Sequence, residues 1–168
     1  MACRIEQGKA LDSLRATDHA SEVPEDSYLS QKKAMSQPQE FIALQAAERQ
    51  PLLSKLHEAI LANDASVSPV VEGMMGKEMI VYKFKGTMKY ALSSVAKYMS
   101  LHLMPIYMNP VLHAKYMAQL PAAKFQKGCI NFENEAQVPI EIVAQLIRDC
   151  APFDLAKIRE EYQRSKKK

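Results

Sequence analysis

Tryptophan is absent, glycine occurs five times and cysteine three times in 168 residues. Each scarcity closes a class of function. With so few glycines a phosphate-cradling loop is hard to build, and GMMG at 73–76, the one close pair, reads as the turn entering the first strand. Cys3, Cys129 and Cys150 are odd in number, widely spaced and outside any CxxC or Cys/His cluster, so no disulfide framework or structural zinc site is encoded. Each is expected to be a free thiol, Cys129 and Cys150 buried as small hydrophobes. A catalytic cysteine would need an activating base that the sequence does not identify. GxSxG and HExxH are missing as well, and no carboxylate pair has a spacing suited to acid–base work. His57 or His102 would serve as a base, but neither has a recognisable nucleophile or third group. The chain therefore reads as a non-enzyme that needs no cofactor.

Long apolar runs are also lacking, none approaching the ~20 residues that span a bilayer. The opening MACRIEQGKALDSLR has no apolar core of a secretory leader, and Glu6 and Asp12 oppose a transit peptide. A cytoplasmic protein with no membrane partner is expected. Composition, at 48% hydrophobic and 24% charged residues, suits a globular domain with tails.

Arginine is missing from residues 73–132, where eight lysines face one acid, Glu78. Such an excess attracts anions. Without arginine to grip phosphate bidentately, however, the lysines read better as guards on strand ends and edges, and nucleic acid is disfavoured as a partner.

Residues 1–36 carry eleven charges of mixed sign and, beyond a short helix near residues 10–16, no sustained periodicity. They are expected to form a mobile extension, with Met35 an alternative start of translation. The domain is expected over residues 37–165, followed by a basic tail at 166–168. Phe41, Ile42 and Leu44 mark a first helix. Leu52, Leu53, Leu56, Ile60 and Leu61 mark a second behind Pro51, with His57 on its flank. GKEMIVYKFKG, MKYALSS and KYMSLHLMPIY then alternate as three strands of an antiparallel meander. Asn109-Pro110 opens a helix, KGCINF makes a fourth strand, and helices follow from Pro139 and Pro152. The order α-α-β-β-β-α-β-α-α predicts an α+β fold, a four-stranded antiparallel sheet covered by helices.

The pieces KYMSLHLMPIYMNP and QKGCINFENEAQVPIEIVAQLIRDCA resemble the YdhG-like family, a bacterial domain of unknown function, over residues 39–151. The resemblance implies a frataxin-like packing of helices on one sheet face. It also implies an alternative function, intracellular iron handling as an iron chaperone. Frataxin-type iron handling relies on surface carboxylates. Glu40, Glu48, Glu58 and Asp64 are too far apart for an acidic ridge, which leaves non-enzymatic binding as the first reading.

Strand alternation locates the surface for that binding. Met99, Leu101 and Leu103 form an aliphatic face suited to the core, and Tyr98, Ser100, His102, Met104 and Ile106 form the opposite one. With Tyr82 or Tyr90 joining from neighbouring strands, this second face offers apolar area with a few polar anchors, as a ligand or partner site needs. Tyr82, Tyr98, His102, Met104 and Tyr107 are the candidate ligand-binding residues. The competing readings are a wall histidine covered by a terminal segment, and a metal site in which imidazole and thioether would suit copper or another soft ion better than ferrous iron. Eight of the ten methionines lie between residues 74 and 117 in no metal-binding repeat, and are read as core filler. The partner is expected to be a small molecule or a protein, a homodimer through the open face included.

Overall fold

The computed structural model describes residues 37–165. The extension at 1–36, the start at Met35 and the tail at 166–168 lie outside these residues. Pro38 sits in the first turn of α1 (Gln37–Ala43), which buries Phe41 and Ile42. Pro51 opens α2 (Gln50–Asn63), whose Leu52, Leu53, Leu56 and Ile60 are buried. In both helices proline occupies a position whose N–H would have no intrahelical acceptor. Arg49, between them, donates to Ser94 Oγ at 3.1 Å, to Ala96 O at 2.9 Å and to Val95 O, fixing the helical corner to the end of the meander.

The sheet has six strands, not four. β1 (Ser68–Met74), β2 (Lys77–Phe84), β3 (Thr87–Ser94), β4 (Met99–Leu103), β5 (Lys124–Gln126) and β6 (Cys129–Phe132) pair antiparallel in the order β1-β2-β3-β4-β6-β5. The expected meander is β2-β3-β4. β1 was hidden by Pro69 and Gly73, which look like loop residues, and β5 by its length of three residues. Two-residue turns, each with both residues at positive φ, join β1 to β2 (Met75, Gly76) and β2 to β3 (Lys85, Gly86). After β4 the chain leaves the sheet through α3 (Met104–Met108) and α4 (Pro110–Gln119), then returns so that β6 lies beside β4. Asn109 caps α4 as expected, its Oδ1 accepting from Leu112 N at 3.1 Å. α5 (Ile140–Cys150) and α6 (Leu155–Ser165) complete the described chain.

One sheet face carries the core. Ile80, Tyr82, Tyr90, Leu92, Met99, Leu101, Leu103, Ile130 and Phe132 pack with the buried residues of α1, α2 and α5 and with Tyr116 of α4. Among the described residues every buried side-chain nitrogen or oxygen has a partner. The most demanding is Lys89, 0% exposed and 2.8 Å from Asp64, itself 3% exposed. A bulge in β3 puts it there: Tyr82 faces Tyr90 while Lys83 faces Met88, so Lys89 is extra and turns to the helix side. Its ammonium also donates to Ala151 O at 2.7 Å, just past α5. Asp64, the residue that closes α2, accepts further from Tyr90 OH at 2.8 Å and from Ser66. Burial pushes its carboxyl up, but hydrogen bonds from Lys89, Ser66 and Tyr90 outweigh this and hold it below the usual carboxylate range.

Replacing one member of such a pair leaves the other charged and desolvated. Lys89→Met is expected to destabilise the fold by about 3–5 kcal/mol, measured by equilibrium urea unfolding; a loss below about 1 kcal/mol would show the pair to be solvated.

Candidate functional site

The second face of the sheet carries a smaller cluster. Met79, Val81 and Ala91 are buried there, with Val70, Met74 and Met88 packed around them. Through the ladder, Met88 faces Lys83 and Lys83 faces Ser68, six residues before Met74, so in a flat sheet Met74 would stand about 20 Å away along the strand. Yet Met74 and Met88 border one cleft. The β2–β3 pairing starts only at Ile80, so the outer end of the β1–β2 hairpin runs past its neighbour, and sheet twist accounts for Met74 reaching the same cleft as Met88.

The cleft beneath has a volume of about 460 Å³. Met74, Met75, Met88 and Met104 supply four thioethers to its lining, and Leu103 and Tyr107 add apolar surface. His102 and Cys129 stand side by side in it, facing each other across the β4–β6 ladder. The backbone of the two strands sets their approach, with His102 Nδ1 2.9 Å from Cys129 Sγ. The other ring nitrogen, Nε2, lies 3.1 Å from Ser93 Oγ on β3. The neutral ring therefore bridges the Ser93 hydroxyl and the Cys129 thiol, donating to one and accepting from the other. Gln126 of β5 and Lys127 and Gly128 of the β5–β6 turn also line it.

This chain of groups is neutral. Burial lowers the His102 pKa, and the nearby Lys77 charge lowers it further. Burial raises that of the Cys129 thiol. The pair is thus imidazole and thiol rather than imidazolium and thiolate.

Of the five residues expected from the sequence, the structure gathers three, His102, Met104 and Tyr107. Tyr107 is 58% exposed. Tyr82 and Tyr90 do not join this face: both are wholly buried on the helix side, where Tyr82 OH lies 2.9 Å from His57 Nδ1 and Tyr90 OH binds Asp64. Tyr98 precedes β4 and is absent from the cleft lining. The strand stops at Leu103, so Met104 reaches the cleft from α3, and Ile106 turns into the core. Cys129 was the missed residue. Its place opposite His102 depends on the register of β6 after a helical excursion, which no local pattern announces.

Among the described residues no three His, Cys, Asp or Glu side chains gather as metal ligands, and no helix is long and apolar enough to cross a membrane. Comparison with known proteins finds no matching family model, no similar curated protein and no similar solved structure.

Two outcomes test this geometry. A Cβ on Gly128 would lie 2.7 Å from Tyr107 Cβ and 3.0 Å from Leu103 O, whereas one on Gly73 would meet nothing within 4 Å. Gly128→Ala is expected to cost about 1–3 kcal/mol in urea unfolding and Gly73→Ala far less; equal effects would contradict the close approach. Acid is the second test. His57 is also held low, by burial against a smaller opposing pull from Glu58. Both folded-state values lie below the unfolded one of about 6.5, so the unfolded chain binds more protons in this window. Stability should be full above that pH and fall as pH drops through the folded values. The melting temperature between about pH 7.5 and 5.5 reads it; an unchanged slope in the His57→Gln, His102→Gln double variant would refute the assignment.

Proposed function

We propose that this protein is a non-enzymatic binding protein whose site is the methionine-lined cleft on the outer face of the sheet. The observation that carries this reading is the convergence of four thioethers, Tyr107 and the hydrogen-bonded His102–Cys129 pair in one cleft of about 460 Å³. That volume lies within the ~300–1,000 Å³ of small-molecule sites, and an apolar wall with few polar anchors is their usual composition. Methionine adapts its shape to what it touches, so the cleft suits a compact apolar body. Lys127 at the rim and Lys77 near His102 favour a neutral or anionic ligand over a cation such as an amine. A frataxin-like packing of helices on one face belongs to the same proposal. The iron handling implied by the YdhG-like resemblance is less suited to this cleft, whose lining includes no carboxylate among the described residues, because hard cations prefer oxygen ligands.

Anilinonaphthalene sulfonate, an apolar anion, is a suitable probe. The folded protein is expected to enhance its fluorescence saturably at one site. Met75 is 73% exposed on the hairpin tip, so Met75→Glu should leave the circular dichroism unchanged and abolish the signal. Dye binding equal in both proteins, or none in either, would sink the reading.

A further inference from the structure

We propose that His102 and Cys129, with the thioethers of Met88 and Met104, form a binding site for monovalent copper. The same cleft is used, but the inference does not depend on its taking an apolar molecule. The donor set is the first argument. One thiol, one imidazole and thioethers border a single cleft, and Asp and Glu are absent from its lining among the described residues. Sulfur donors of this kind select Cu(I), whereas carboxylate, carbonyl and water suit the harder ions. Two His/Cys donors fall short of the four ligands of a structural zinc site. Cu(I) accepts low coordination numbers and takes thioethers as ligands.

Preorganisation is the second argument. His102 and Cys129 are opposed on adjacent strands, and the Ser93 hydroxyl, 3.1 Å from Nε2, holds the ring with Nδ1 turned to the sulfur. A hydrogen bond to the far nitrogen is how proteins set the tautomer of a ligating histidine. The thiol proton is shed on binding, and Nδ1 and Sγ, now 2.9 Å apart, separate to admit an ion with bonds of about 2.0–2.3 Å to each.

Charge is the third argument, and it separates Cu(I) from divalent ions. Binding exchanges the Cys129 proton for Cu(I): the S–H bond breaks, an S–Cu bond forms and the proton leaves to solvent, with no change of oxidation state. The site gains no net charge. A divalent ion would add a positive charge beside Lys127 and close to Lys77, which the lysines oppose.

The test is an anaerobic competition for Cu(I) between the full-length chain and the chromophoric chelator bicinchoninate. The wild-type chain is expected to withdraw one equivalent, and Cys129→Ser none. Ser93→Ala should weaken retention by about 10–100-fold, and Met104→Leu should weaken it without altering the circular dichroism. Zn(II) and Fe(II), assayed with their own indicators, should not be retained. Chelator that keeps all its copper, Cys129→Ser that competes as well as wild type, or loss of retention in Cys3→Ser would each overturn the proposal. Copper retention without dye enhancement would refute the apolar-ligand reading alone, and dye enhancement without copper retention would refute this one alone.

Discussion

The fold depends on an ion pair that has no access to water. Asp64 and Lys89 meet inside the protein, and such a pair is tolerable only when every remaining hydrogen-bonding position on both groups is filled. Here the filling comes from different parts of the chain. Ser66 and Tyr90 serve the carboxylate; Ala151 O serves the ammonium, which also lies 5.1 Å from the Phe84 ring centre and 5.6 Å from that of Tyr90. The end of α2, the bulge of β3 and the residue after α5 are thereby held at one point. Apolar contacts alone would accept several registers of β3 on β2; a buried charge with one adequate partner accepts far fewer.

His57, buried, and His102, half-buried, show how one sheet separates structural from chemical use of the same side chain. His57 lies on the helix side, 6% exposed, with its Nδ1 engaged by Tyr82. His102 lies on the other side, at the bottom of a cleft, between a hydroxyl and a thiol. Both are held neutral by burial. The second borders a cleft to which the β1–β2 hairpin contributes Met74 and Met75.

Much of this was readable from the chain because strand alternation is a strict rule. Met99, Leu101 and Leu103 against Ser100 and His102 sorted β4 correctly, and Ile80, Tyr82 and Phe84 fell together on the core side as their spacing requires. Tyr82 does not join His102 on the binding face: it shares the core side with Ile80 and Phe84, where α2 brings His57 to its hydroxyl. Proline misled in two ways. Pro69 concealed an edge strand, and Pro105 in LHLMPIY belongs to the first turn of α3, so the strand expected over KYMSLHLMPIY ends at Leu103. The Cys129–His102 contact was not legible at all, since it arises from β4 pairing with β6 across two intervening helices.

The bulge in β3 reaches further than the core. By spending two residues opposite Tyr82, the strand delivers an ammonium inward and, one step earlier, the Met88 thioether outward. Restore strict alternation and the two would trade places, with a cation on the wall of the cleft and a thioether against Asp64. A single irregularity in backbone phase therefore decides the chemistry on both sides of the sheet, and a change of register there alters both at once.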